Sequence, residues 1–221
     1  IAVIKRDGAI INQNGIHIEE LRYHLTDHQG VQGFAGGEYV EDGNKVLEME
    51  CDILIPAALE GVIHEENAPN IKAKLIAEAA NGPVTFEADR ILRSRGIKVL
   101  PDAYMNAGGV IVSYFEWVRN LSHVRFGRLE RRFDETKGNC IVHALQEMTG
   151  KDVPPYIRDH LARGADEFDL VRSGLDDSMC QGMQEIIDTY NRNDKIEDYR
   201  TAAYVIALSK LSRSYLDIGI F

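Results

Sequence analysis

The chain of 221 residues is 44% hydrophobic and 27% charged, the balance of an ordinary globular protein long enough to bury a sizeable core. Its formal net charge of −10 argues against nucleic acid or an anionic membrane surface as a general partner. No apolar run approaches the roughly 20 residues that a membrane helix needs. Cys51, Cys140 and Cys180 are isolated and lack CxxC spacing, which suits a reducing, cytoplasmic-type compartment better than a disulfide scaffold. The one local basic run, from Arg125 to Arg132, is interrupted by Glu130.

The chain opens on an apolar run, Ile1-Ala2-Val3-Ile4, that ends in Lys5-Arg6-Asp7-Gly8 and reads as a strand buried on both faces. These first residues read as neither a signal nor a transit peptide, and a beginning directly on a core strand is expected of a piece of a longer polypeptide. Asn12, Asn14 and Gly15 mark a turn, and Ile18, Leu21 and Leu25 give residues 18–28 helical spacing. The glycine-rich residues 30–43 are expected to form a surface loop. A second strand, Cys51-Asp52-Ile53-Leu54-Ile55, stops at Pro56-Ala57-Ala58. A third, residues 74–80, runs to Asn81-Gly82-Pro83. Residues 85–95 then read as a helix that Thr85 caps and Gly96 closes, and residues 97–100 as the last strand, ending at Pro101.

Gly108 and Gly109 begin the next helix and leave its backbone open to close approach by a ligand. Ile111, Tyr114, Phe115, Val118 and Leu121 form its expected core face, while Val110, Ser113 and Trp117 share a second stripe that serves a pocket. Residues 128–169 are charged, and Gly150, Pro154-Pro155 and Gly164 forbid one continuous helix. A helix is expected near residues 141–148 and a shorter one after Pro155. Ser173, with Asp176 three residues on, has the spacing of an N-cap, and Leu175, Met179, Met183, Ile186, Ile187 and Tyr190 form the buried face that follows. A final helix after Asp198 places Tyr204, Leu208, Leu211 and Tyr215 on one side.

Short apolar strands alternating with helices predict an α/β fold, a Rossmann-like doubly wound and mostly parallel sheet. Ligands of such sheets bind beyond the carboxyl ends of the strands. Those ends carry Lys5-Arg6, Pro56-Ala57-Ala58, Asn81 and Asn106, which are small, cationic or amide-bearing. A flat group can lie against backbone at Ala57 and Ala58, and both asparagines can donate and accept hydrogen bonds.

These motifs resemble the Glu/Leu/Phe/Val dehydrogenase family and its glutamate dehydrogenases. The matching stretches are Cys51-Asp52-Ile53-Leu54-Ile55-Pro56-Ala57-Ala58, Ile76-Ala77-Glu78-Ala79-Ala80-Asn81-Gly82-Pro83, Asn106-Ala107-Gly108-Gly109-Val110 through Ser113-Tyr114-Phe115-Glu116-Trp117, and Arg200-Thr201-Ala202-Ala203-Tyr204-Val205. Several long motifs in order are far more specific than a lone GxGxxG. The resemblance implies reversible oxidative deamination of glutamate to 2-oxoglutarate and ammonia with NAD or NADP. It also implies that the activating lysine, the proton-shuttling aspartate and the phosphate loop lie in segments outside these residues. No catalytic residue is therefore assigned here, and the fragment alone is expected to be inactive. Residues 1–117 would be a partial dinucleotide-binding domain lacking its first strand, and 118–221 a helical C-terminal region with an antenna-like insert at about 128–169.

By the same resemblance Ala57, Ala58 and Asn81 would flank the dinucleotide, with Asn81 near the nicotinamide ribose. Asn106 would bond near the nicotinamide and the substrate amino group, and Val110 and Ser113 would line the side-chain pocket. A hydroxyl at Ser113 favours glutamate over an apolar substrate, although such a hydroxyl can also bond its own helix backbone. Where the family commonly has an acid for the ribose 2′-hydroxyl, this chain has Lys5 followed by Arg6. Two cations there would attract a 2′-phosphate, with Asp7 the alternative acid. A homo-oligomer, a hexamer by family resemblance, is expected. His24 and His28 are one helical turn apart without a third convergent ligand, so no metal site is expected. The competing readings are a leucine-, phenylalanine- or valine-type dehydrogenase and a stand-alone nucleotide-binding regulatory module.

Overall fold

In the computed structural model, which describes residues 1–122, 128–162 and 166–219, the first apolar run becomes β1 (Ala2–Lys5) of an antiparallel sheet. It pairs with β2 (Gly8–Ile11), and β2 pairs with β3 (Glu38–Val40), in a register that sets Lys5 opposite Gly8 and Ile10 opposite Tyr39. This corrects two expectations. Residues 1–4 do not form a strand buried on both faces of the parallel sheet, and the glycine-rich stretch is not all loop. The reason is chain length. A parallel neighbour needs a crossover of a dozen or more residues, whereas only Arg6-Asp7 separate two apolar runs, so the chain doubles back. Burial then falls on the central strand: Ala9 and Ile10 are fully buried, whereas Ile1 and Ile4 are exposed. Gly8 closes the turn at φ +136°, where an added Cβ would stand 2.6 Å from the Val40 carbonyl oxygen.

Helix α1 (Ile18–His28) ends at Gln29 in the left-handed conformation and sends Leu21 into a cluster with Ile10, Val31 and Phe34. A short α2 (Gly43–Leu47) is capped by Asp42 and buries Val46 and Leu47.

The second sheet is the parallel one. β4 (Ile53–Leu54), β5 (Leu75–Ala77) and β6 (Lys98–Leu100) lie in that order, with Ile53 opposite Leu75 and Ile76 opposite Val99. Between β5 and β6 runs α3 (Phe86–Ser94), where the Thr85 hydroxyl oxygen accepts the Ala88 N–H at 3.2 Å and Gly96 closes the end at φ +77°. Ile63, Ile71, Ile76 and Leu92 are fully buried in one core with Val84, Ala88 and Val99. Burying each of the large side chains is worth roughly 1.5–3 kcal/mol. The residues up to Met105, together with Asp198–Arg200, form one unit, and Asn106–Glu197 with Thr201–Phe221 form another.

The second unit is helical. α5 (Gly108–Ser122) packs on α8 (Glu167–Arg192), where a Cβ on Gly174 would lie 3.3 Å from the Phe115 ring. Phe115, Ile111 and Val118 are half-buried, but Tyr114 and Leu121 of the expected core face are exposed, because α8 covers only the side centred on Phe115. α6 (Arg128–Thr149) is longer than the expected helix and packs on α7 (Pro155–Ala162) after a turn at Gly150, φ +63°. The lone interior glycine of α6, Gly138, costs only about 1 kcal/mol, too little to interrupt it. Arg125 and Gly164 lie outside the described residues.

Ser173 does not start a helix. α8 begins at Asp166, which accepts the Asp169 N–H at 2.9 Å while Asp169 accepts the Asp166 N–H at 3.1 Å, a complete capping box seven residues earlier. Ile186 is buried on the expected face of α8, whereas Tyr190 is exposed. In α9 (Tyr199–Asp217) Tyr204, Leu208, Leu211 and Tyr215 are all exposed. No helix among the described residues is long and apolar enough to cross a membrane.

Candidate functional site

Hydrogen bonds carry the alignment of the parallel strands beyond their last residues. The Ala79 N–H donates to the Pro56 carbonyl at 3.0 Å, and the Glu78 N–H donates to the Leu100 carbonyl at 3.1 Å. The three chains therefore leave the sheet at one rim. Further along, the Gly61 N–H reaches the Gly82 carbonyl at 2.9 Å and Ile63 bridges to Val84 in parallel, so the segment after Ala58 runs beside the turn that carries Asn81. Ala57, Ala58 and Asn81 are all exposed on this rim. Gly82 turns the chain at φ +52°, and no atom lies within 4 Å of where its Cβ would be, so the backbone there is open to a flat group.

Of the four expected strand ends, those at Ala57-Ala58 and Asn81 belong to this rim, whereas Asn106 lies five residues beyond Pro101, in the second unit. The fourth pair, Lys5 and Arg6, sits in the hairpin turn of the other sheet, exposed and without an ion-pair partner among the described residues. The neighbouring acid is engaged. Asp7 Oδ2 accepts the N–H groups of Val31 at 2.7 Å and Gln32 at 3.1 Å. Slight desolvation opposes ionisation, but these N–H groups and the Lys5 charge outweigh it and hold the Asp7 carboxyl below its usual value.

Behind the rim lies an ionic cluster built on two buried carboxylates, Glu78 and Asp89. Arg200 Nη2 is 2.8 Å from both carboxylate oxygens of Glu78, and Nη1 is 3.1 Å from Asp102 Oδ1. Asp89 Oδ1 is 3.8 Å from the same guanidinium, and Arg93 links Asp89 (2.9 Å) to Asp198 (2.8 Å). Burial pushes the Glu78 carboxyl above its usual range, with Arg200 and the Asp102 N–H drawing it partway back. Burial raises Asp89 as well. Arg200 loses some preference for charge by burial, but Glu78, Asp89 and Asp102 more than restore it. One clue exists in the sequence: Glu78 is a carboxylate inside an apolar run, and a buried charge needs a partner. Its partner, 122 residues on, has no such mark.

In the second unit Asn106 is half-buried just ahead of α5, and Val110 and Ser113 follow one turn apart, both exposed. Ser113 Oγ donates to the Val110 carbonyl at 2.8 Å, so the hydroxyl occupies the helix-backbone bond open to any serine in a helix. His24 and His28 stack at 4.3 Å, with His24 Nε2 3.1 Å from the Gln32 carbonyl and His28 Nδ1 3.2 Å from the His24 carbonyl.

The rim thus presents small exposed residues, an open glycine and an amide, a lining suited to a flat group, and the hairpin of the other sheet presents two cations, the chemistry that attracts a 2′-phosphate. A family model described as Glutamate/Leucine/Phenylalanine/Valine dehydrogenase matches residues 1–172. The probable glutamate dehydrogenase of Sinorhizobium fredii is 49% identical over 208 residues, 94% of this chain and 47% of that protein. The mitochondrial glutamate dehydrogenase of Dictyostelium discoideum is 45% identical over 99% of this chain and 43% of its own length. Among solved structures, glutamate dehydrogenase from Peptoniphilus asaccharolyticus superposes with a TM-score of 0.63 at 26% identity, over 100% of this chain and 40% of that one. The chain thus spans less than half the length of these relatives.

Proposed function

Because the chain belongs to the glutamate/leucine/phenylalanine/valine dehydrogenase family, we propose that it is part of an NAD(P)-dependent glutamate dehydrogenase, which interconverts L-glutamate with 2-oxoglutarate and ammonia. The observation that carries this reading is the rim where Ala57, Ala58 and Asn81 stand together at the ends of a parallel sheet. A nicotinamide dinucleotide, when bound, supplies the hydride acceptor or donor. Ala57 and Ala58 leave room for its flat groups against backbone, and Asn81 offers both a donor and an acceptor to the ribose. Asn106 takes the place beside the nicotinamide and the substrate amino group. Val110 and Ser113 line the side-chain pocket, with Ser113 turning its hydroxyl from the Val110 carbonyl to the distal carboxylate of glutamate.

The commitment of Asp7 to the Val31 and Gln32 N–H groups leaves Lys5 and Arg6 as the charged side chains presented at the hairpin, which supports acceptance of NADP and a preference for it over NAD. Residues 1–117 then act as the partial dinucleotide domain and 118–221 as the helical region with its antenna-like insert. The working enzyme is a homo-oligomer, a hexamer by family resemblance. Three free thiols suit a reducing, cytoplasmic compartment.

The test is substrate profiling of the intact polypeptide. Glutamate should give the highest kcat/KM, and Ser113→Leu should lower it by roughly a hundredfold while improving the rate with leucine. A wild-type preference for leucine, phenylalanine or valine would replace the glutamate reading with the other branch of the family. Absence of any turnover with NAD or NADP would favour a regulatory nucleotide-binding module.

A further inference from the structure

Arg200 starts the last helix, yet its guanidinium reaches the turns that follow two strands of the parallel sheet. Glu78 lies just past β5, and Asp102 opens α4 (Asp102–Met105) just past β6. Arg200 Nη2 holds both oxygens of Glu78 at 2.8 Å and Nη1 holds Asp102 Oδ1 at 3.1 Å. Glu78 is fully buried, and its Oε2 also accepts the Asp102 N–H at 2.7 Å. The other oxygen of Asp102 accepts the Gly82 N–H at 2.9 Å. An unbroken chain of charge-assisted bonds therefore runs from Arg200 through Asp102 to the backbone beside Asn81. The segment carrying Arg200 is itself anchored, since Asp198 is bound to Arg93 at 2.8 Å and Arg93 to Asp89 at 2.9 Å.

Stability alone does not call for this cluster. Replacing buried ion pairs by well-packed apolar residues of similar volume is often neutral or stabilising, because desolvating the charges offsets most of their attraction. What apolar residues cannot do is fix direction. A planar guanidinium satisfies two carboxylates only when both turns hold one orientation, and the Asp102 carboxylate then sets where the Gly82 N–H, and with it Asn81, must point. We infer that Arg200 is a positioning residue for cofactor binding: acting through Asp102, it holds the Asn81-Gly82 turn in the geometry that receives the nicotinamide ribose. The inference rests on the nicotinamide-dinucleotide reading above.

The test uses the intact polypeptide, with NADPH and NADH as probes titrated by their own fluorescence. Asp102→Ala leaves the Arg200–Glu78 pair in place and releases Arg200 Nη1 together with the N–H groups of Gly82 and Ala103, both exposed residues, so the fold should hold. Kd for the reduced dinucleotide should rise roughly tenfold, with Tm and the KM for glutamate nearly unchanged. Arg200→Lys, a point charge that cannot span both carboxylates, should raise Kd in the same direction. The double variant should be no worse than Asp102→Ala alone, because both act through one connection. Unchanged cofactor Kd in both variants, or a fall in Tm with equal losses for cofactor and glutamate, overturns the positioning role while leaving the functional reading intact. Failure of the wild-type protein to bind either dinucleotide overturns both.

Discussion

The Val31 N–H donates to Asp7 Oδ2 at 2.7 Å, tying the turn of the first hairpin to the loop that leaves α1, 24 residues later. Gln32 shares the same oxygen at 3.1 Å, and Gly30 allows the approach, since a Cβ there would stand 2.3 Å from it. One carboxylate thus fastens two pieces of chain that the hydrophobic cluster of Ile10, Leu21, Val31 and Phe34 brings near each other.

That bond has a pH signature. The Asp7 carboxyl is held below its usual value in the folded state, so its stabilisation is complete above the unfolded value of about 4 and fades as pH falls through the folded one. Asp7→Ala should cost about 1 kcal/mol at pH 7, a modest figure because the group is open to water. The difference from wild type should shrink as the pH is lowered from 4 towards 2. Urea titrations at pH 7 and pH 3 check it, and an equal cost at both would contradict the charged role.

Two glycines separate backbone strain from collision. Gly8 (φ +136°) has the Val40 oxygen 2.6 Å from the place of a Cβ, whereas Gly15 (φ +100°) has nothing within 4 Å. Gly15→Ala should cost about 1 kcal/mol for conformation alone, and Gly8→Ala distinctly more, roughly 3 kcal/mol. Denaturant midpoints of the two variants decide the comparison.

At the start of α3 the Thr85 hydroxyl accepts the Ala88 N–H at 3.2 Å. Thr85→Ala should destabilise by about 1 kcal/mol and Thr85→Ser by much less, since serine keeps the acceptor. Hydrogen exchange at the first-turn amides of α3 should quicken in the alanine variant only.

For the cofactor, Lys5→Glu in the intact polypeptide should lower the ratio of NADP to NAD affinity by roughly tenfold or more, as a carboxylate repels the 2′-phosphate. Separate Kd measurements for the two dinucleotides give the ratio directly. An unchanged ratio would mean that Lys5 points to solvent in the complex.

The elements that read clearly from the sequence are those whose causes lie within a few residues. Residues 18–28 have helical spacing, Thr85 caps and Gly96 closes α3, and short apolar runs ending in proline or asparagine become β4, β5 and β6. The rim of Ala57, Ala58 and Asn81 was legible for the same reason, because parallel strands must end together. Ser173 has the spacing of a cap on equally local grounds, but the capping box at Asp166 and Asp169 starts the helix seven residues earlier.

What the tertiary structure alone decided involves partners far apart in the chain. β1 turned back on β2 rather than joining the parallel strands, and β3 emerged from a glycine-rich stretch because Tyr39 had Ile10 to pair with. Glu78 reads as an anomaly until Arg200 arrives from 122 residues away. Helical spacing, caps and turns are written in neighbouring side chains, whereas pairing and charge compensation are settled only when folding brings distant groups into contact and takes them out of water.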